Sequence, residues 1–364
     1  MIHDPSERES LRLVARNLYN EHCSNDALQE AEATGWLPEL WEAQDRVGFA
    51  DVSVSEDLGG AGGEAADALT ILQEAGKCGA PVPIAEAGML AGWLITQGDL
   101  QLPKGVRTVA PPSWQERFVL DKGKLSGCAR NVPWGARADW VVILVPTAQE
   151  QIIVILRGPS HPDSKGVRVE SSVNLAGEPR DVLYFDEVVP AQSCIAPLNV
   201  SLEALHRRGA LTRISLMTGA LQAMAAMTVT YTSQREQFGR PVRAFQAVQQ
   251  HLVTVQQQSS IAAAALDGAT AAIQFGEATF EIAAAKLLAN QAARTATRAA
   301  HQAHGAMGMT QEYPLHYLSR RLWSWRNEYG NENYWAARLG GAIIDAGPGK
   351  LYPAITSGSA VVRV

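Results

Sequence analysis

From Leu202 to Ala303 the sequence leaves little alternative to helix. Alanine, glutamine, leucine and methionine dominate Leu211 to Thr230, Phe245 to Ala272 and Ala278 to Ala303, with glycine-bearing breaks between them. Three helices of roughly 20 or more residues laid side by side make a bundle, and so much alanine allows their axes to approach closely. The runs Ala262 to Ala265 and Ala283 to Ala285 are interleaved with Leu, Ile and Phe, which favours packed helix over low-complexity linker.

Upstream the pattern changes twice. From Ser6 to about Gly98 apolar residues recur at helical spacing, as in Leu11, Leu13, Val14 and Leu18 and in Ala68, Leu69, Ile71 and Leu72. The glycine cluster within Asp57 to Gly63 interrupts this region and predicts a loop. Between Pro103 and Pro197 short β-branched runs take over, at Trp140 to Val145, Ile152 to Leu156, Val167 to Val169 and Val182 to Phe185. The reading is therefore mainly α with a central β domain: a helical domain over 1–100, a compact sheet or barrel over 101–198, and a helical bundle over 199–364.

Composition narrows the function. A net charge of -6 and 19% charged residues imply no basic surface for nucleic acid. Cys23, Cys78, Cys128 and Cys194 lie far apart, without Cys-x-x-Cys or histidine at ligand spacing, so reduced thiols and no metal are expected. The opening Met1 to Pro5 has no cationic region followed by an apolar run, and no stretch approaches the roughly 18 apolar residues of a membrane span. A cytoplasmic protein is expected.

Two segments carry chemistry. Tyr231-Thr232-Ser233-Gln234-Arg235-Glu236-Gln237-Phe238-Gly239-Arg240-Pro241 reads as a helix ending at Gly239-Arg240-Pro241, with a new helix opening at Phe245-Gln246. A guanidinium at such a corner can reach a diphosphate as a forked donor and a nearby Gln can pair with a ring edge; equally, Arg235 can simply cap its own helix. The second segment, Gln302-Ala303-His304-Gly305-Ala306-Met307-Gly308-Met309, places two glycines after a long helix, where a ligand or another subunit can approach the bare backbone. His304 alone reads as structural rather than catalytic.

In this order and spacing the two segments resemble the acyl-CoA dehydrogenase family. Val54 to Gly62 resembles its N-terminal glycine loop, and Leu125 to Asp139 its β-domain strand. The resemblance implies an N-terminal α domain, a middle β barrel and a C-terminal four-helix bundle, assembled as an oligomer with FAD at a subunit interface and an acyl-CoA substrate. It implies that Arg235, Gln237 and Phe238 contact the FAD of a neighbouring subunit. Gln246 would lie near the same cofactor half, and Gln302 with the Gly305 backbone would serve its pyrophosphate or adenine side.

The chain departs from the family where the reaction happens. A carboxylate must take the proton α to the thioester carbonyl, and the family usually supplies it in Tyr-Glu-Gly-Thr after a Tyr-Pro pair. From Tyr313-Pro314 the corresponding stretch is Glu328-Tyr329-Gly330-Asn331, so Tyr329 holds the position of the Glu and Glu328 stands one residue early. Other members place the base immediately before an arginine that matches Arg213, where this chain has Thr212. Glu328 is the candidate base, Arg213 and Tyr329 fall on the substrate side, and Asn331 and Asn333 replace the Thr and Gln that bind FAD. The Thr-Glu-Pro-Gly-Ala-Gly-Ser flavin loop is missing, with Ala110-Pro111-Pro112-Ser113-Trp114 in its stretch, and Trp134 reads as packing rather than covering a flavin. Three functions stay open: a dehydrogenase of acyl-CoA thioesters, a non-catalytic partner completing the FAD site of a second such subunit, and a flavin oxidase or monooxygenase on the same fold.

Overall fold

Two compact units make up the chain, Met1–Ile71 with Pro81–Gly209 and Leu72–Ala80 with Ala210–Val364. The computed structural model describes residues 5–113, 118–360, 362 and 364; Trp114 and the first four residues lie outside them.

The first unit opens with helices α1 (Pro5–His22), α2 (Asn25–Thr34) and α3 (Pro38–Arg46), followed by the start of α4 (Ala65–Cys78). Helix α2 is set by its ends: Ser24 Oγ accepts from Ala27 N at 3.2 Å, and Gly35 closes the last turn in the left-handed region. The glycine cluster of 59–63 is a loop, as its composition predicts. Its amides fold back on the preceding backbone, Gly62 N donating to Val54 O at 2.8 Å and Gly63 N to Val52 O at 2.7 Å. A wholly buried π-helical segment, Ala85–Gly92, leads into α5 (Trp93–Gln97).

The β region holds β1 (Arg107–Val109), β2 (Val119–Asp121), β3 (Lys124–Pro133), β4 (Trp140–Pro146), β5 (Gln151–Arg157), β6 (Val167–Glu170), β7 (Arg180–Val188) and β8 (Gln192–Ile195). The expected barrel is not what forms. Hydrogen bonding gives two four-stranded sheets, ordered β1-β4-β5-β8 and β2-β3-β7-β6, each with two open edges. One core joins them, with Leu125, Ala129 and Val132 of β3 and Leu183 and Phe185 of β7 packed with Val141, Ile143, Val154 and Leu156 of β4 and β5. Short strands with one apolar face fit a sandwich as well as a barrel, because alternation specifies which face is buried and says nothing about closure. Trp134 is buried in this unit, its indole N–H donating to Gly35 O at 2.7 Å, so it packs.

The second unit is helical. It comprises most of α6 (Leu202–Gln234), then α7 (Gln246–Ala272), α8 (Thr279–His304), α9 (Leu315–Trp325), α10 (Glu332–Ala346) and α11 (Leu351–Ser357). The end of α4 and α6 meet backbone to backbone: a Cβ on Gly76 would overlap the Leu216 carbonyl, and one on Gly219 would overlap that of Gln73. Helix α8 buries an almost unbroken alanine stripe, Ala283, Ala285, Ala289, Ala292, Ala293, Ala296 and Ala300, against its neighbours.

The corner after α6 differs from the sequence reading. The helix stops at Gln234, five residues before Gly239, and β9 (Glu236–Gln237) pairs with β10 (Arg240–Pro241) in a hairpin. Phe238 (φ 53°) and Gly239 (φ 74°) form its turn, the two successive left-handed residues that a tight hairpin requires. The Thr232 and Ser233 hydroxyls bond back to Thr228 O and Val229 O in the last helical turn, a local alternative to continued helix that residue preferences alone do not reveal.

Candidate active site

At the C-terminal end of α9 the chain makes a turn, 326–331, before α10 begins. It places Glu328 against Arg213 of α6, with Arg213 Nε donating to Glu328 Oε2 at 2.6 Å. The Arg213 side chain is 2% exposed and that of Glu328 19%, so the cation is enclosed while the carboxylate keeps one side open. The guanidinium carbon lies 5.3 Å from the centre of the Tyr329 ring. Arg213, Glu328 and Tyr329, three of the residues singled out in the sequence, are thus brought together. Thr212 is fully buried.

The turn is strained and held. Tyr329 has φ 52° and Gly330 φ 96°, and a side chain at the glycine would collide with the Trp335 indole. Its carbonyls are pinned by side chains: Trp335 Nε1 donates to Tyr329 O at 3.0 Å, and Asn290 Nδ2 to Gly330 O at 3.2 Å. Lys286 Nζ donates to Trp325 O at 3.1 Å, Arg326 O at 3.3 Å and Asn290 Oδ1 at 2.7 Å. Burial pushes the Lys286 ammonium down to about 7, with Glu328 working in the opposite direction. Arg326 and Glu332 pair at 2.8 Å across the start of α10. Asn331 is the N-cap of that helix, Oδ1 accepting from Tyr334 N at 3.0 Å, which leaves only its amide NH₂ for a ligand, and Asn333 is exposed on the first turn.

The remaining candidates form a second group. Arg235, Gln237, Phe238 and Gln246 are exposed on the hairpin and at the start of α7, and Gln302 and Gly305 are exposed at the end of α8. The two ends are joined through aromatic rings. Tyr231, four residues before Arg235, stacks on His304 at 4.5 Å, and Tyr313 meets both at 5.2 and 4.9 Å. His304, buried, holds Ala300 O through Nδ1 at 2.8 Å and is shifted by burial toward its neutral form. Nothing lies within 4 Å of a Cβ built on Gly239 or Gly305, so both turns offer open backbone.

Sequence reasoning missed Lys286, Asn290 and Trp335. A signal existed for the first two: Lys286 and Asn290 are the polar residues four apart on the otherwise apolar face of a helix rich in alanine.

Two family models match the chain: the N-terminal domain of acyl-CoA dehydrogenase over residues 5–99 and its C-terminal domain over residues 199–339. The chain belongs to the acyl-CoA dehydrogenase family. It is an oxidoreductase of that family, similar to the acyl-CoA dehydrogenase IpdE2 of Mycobacterium tuberculosis, with 27% identity over 330 residues that cover 87% of this chain and 91% of the relative. Its fold matches a chain of the ChsE4-ChsE5 complex from Mycobacterium tuberculosis with a TM-score of 0.83 and 21% identity, covering 94% of this chain and 98% of that one. Butyryl-CoA dehydrogenase from Megasphaera elsdenii matches equally well, TM-score 0.83 at 18% identity, over 94% and 100% of the two chains. Among the described residues no helix is long and apolar enough to cross a membrane, and no group of His, Cys, Asp and Glu could hold a metal ion.

Proposed function

We propose that this chain is a subunit of an FAD-dependent acyl-CoA dehydrogenase, acting on a CoA thioester within an oligomer and carrying its own base, Glu328. The observation that carries this reading is the Arg213–Glu328 pair: a one-residue offset in sequence still puts a carboxylate at the end of α9, oriented by a buried cation.

The donor set fits the cofactor. Arg235 is an exposed forked cation suited to a diphosphate, the amides of Gln237, Gln246 and Gln302 suit a ring edge or ribose, and the open turns at Gly239 and Gly305 admit close approach. These residues, with the Phe238 ring and the amides of Asn331 and Asn333, would hold FAD, which when bound supplies the acceptor for the hydride leaving the substrate β carbon. Glu328 would take the α proton. Arg213, which donates to Oε2, would orient the Glu328 carboxylate, and Tyr329 would wall the same space.

The test is Glu328→Gln in a preparation that bleaches with acyl-CoA. Flavin content should be kept and the rate of bleaching should fall by about 10²–10⁴-fold; unchanged bleaching would remove Glu328 from the role. A second reading is that the chain is the non-catalytic partner of a second dehydrogenase subunit, favoured by Tyr329 and Thr212 standing at the two positions where the family places its base. Purified alone it would then be colourless, and co-expression with its partner would give a yellow complex whose bleaching survives Glu328→Gln.

A further inference from the structure

The chain carries a net charge of -6, yet one part of it is almost free of acid. Residues 237–266 contain no Asp or Glu, and neither do residues 282–311. The first stretch spans the corner and most of α7, the second most of α8, and these two helices pack along each other. Their exposed cations are all arginines: Arg240 and Arg243 near the hairpin, Arg294 and Arg298 on α8. The one lysine, Lys286, is buried.

The α8 pair has no partner within the chain. From 289 to 304 the exposed residues are Gln291, Arg294, Arg298, and Gln302, three or four apart and so on one edge of the helix. Arg298 and Arg294 stand one and two turns back from Gln302, about 6 and 12 Å along the axis, beyond the corner suited to a diphosphate. Neither guanidinium has a hydrogen bond, ion pair or ring contact among the described residues. Other partly exposed arginines are given a carboxylate, Arg8 by Asp67 at 2.9 Å and Arg326 by Glu332 at 2.8 Å. Like charges four apart repel across a helical turn, so the pair weakens the isolated chain.

The outward side of α7 is uncharged over the same length. Gln249, Val253, Gln257, Ile261 and Ala264 are exposed at helical spacing, Val253 by 55% and Ile261 by 41%. A surface with arginine and apolar side chains, from which Lys, Glu and Asp are missing, has the composition of a buried protein interface. We propose that the outer sides of α7 and α8 dock an acidic face of a second, non-identical subunit, with Arg294 and Arg298 as the cations that its carboxylates meet. A second copy of this chain fits badly. A twofold contact sets a face against itself. Helices α7 and α8 together hold only Asp267 and Glu281 as carboxylates, and Glu281 is already bonded to Ser359. Self-contact would therefore bury two arginines per copy against one free carboxylate, and such like-charge juxtaposition is costly. The inference rests on the chain working within an oligomer and does not depend on Glu328 being the base.

Photo-cross-linking in the cells that make this chain tests the proposal. With Gln291 replaced by p-benzoylphenylalanine, ultraviolet light should join the chain to a different polypeptide, and mass spectrometry should place Asp or Glu within the linked peptide. Combining Arg294→Glu with Arg298→Glu should lower the yield by about tenfold or more, and changing the mapped carboxylates to Lys should restore it. If the reversed pair does not fold, Arg294→Gln with Arg298→Gln takes its place, with a smaller loss of the same sign. Sedimentation of the purified chain should show self-association no weaker in the double variant than in wild type. A cross-link to a second copy, no cross-link, a yield that the folded double variant keeps, or weaker self-association in that variant overturns the proposal. Glu328→Gln should retain the full cross-link whether or not its bleaching fails, so the failure of Glu328 as base is read separately from the failure of this surface.

Discussion

The molecule uses one backbone device twice, and its surroundings differ completely. Tyr329-Gly330 and Phe238-Gly239 each put an aromatic residue and then a glycine in the left-handed region, with φ of 52° and 96° in the first pair and 53° and 74° in the second. At 329 the aromatic residue is buried, its carbonyl is held by Trp335, and the glycine carbonyl is held by Asn290. At 238 the ring is 92% exposed, its neighbours being Phe245 at 6.2 Å and, beyond it, the Arg240 guanidinium stacked on Phe245 at 4.2 Å. A non-glycine residue in this region costs about 1–2 kcal/mol. At the buried turn that cost is offset within the chain. At the hairpin the offset within the chain comes from the pairing of two short strands and the Phe245 contact.

The contrast can be broken most strongly at Arg213. Arg213→Met leaves Glu328 without its cation, and thermal or denaturant unfolding should show a loss of about 3–5 kcal/mol; Arg235→Met, on the exposed side, should leave stability within about 0.5 kcal/mol. Next come the glycines. Gly330→Ala meets both the left-handed backbone and the Trp335 ring and should cost about 2–4 kcal/mol. Gly239→Ala, with open space around it, should cost only the conformational part, about 1–2 kcal/mol. Equal losses would mean that the two turns are not braced differently.

A smaller effect is expected from pH. The folded chain holds the Lys286 proton less tightly than the unfolded chain, so between about 7 and 10.5 the unfolded state binds more protons and this group makes stability rise with pH. The melting midpoint of wild type should therefore rise relative to that of Lys286→Met from pH 7 to pH 9. A small effect on the chain itself is also expected for Phe238→Gly, with unfolding free energy changed by no more than about 1 kcal/mol. Sedimentation and flavin content should nonetheless fall if the tip docks in an assembly.

The elements were largely legible because their periodicity is strong. The run Trp140 to Val145 became β4, and the alanine-rich stretches became α7 and α8 to within a residue or two. Closure of the β region was not legible, since it depends on which edges meet rather than on which faces are apolar. The hairpin was hidden because Gly239-Arg240-Pro241 also fits a helix stop, and the turn type is set by a left-handed Phe238 that no preference scale favours. At the site, Glu328 was visible as an offset carboxylate, but its encounter with Arg213 joins residues 115 apart in sequence. Lys286 and Asn290 escaped because a single polar pair on a helix is normally assigned to the solvent face.

The crossing of α4 and α6 at Gly76 and Gly219 has a consequence for how this protein can change. Where two main chains touch with no side chain between them, no graded series of substitutions leads away from the contact; even a methyl group forces the segments apart. Variation along these helices must therefore arise at other positions, while the spacing at the crossing is inherited unaltered or lost in one step.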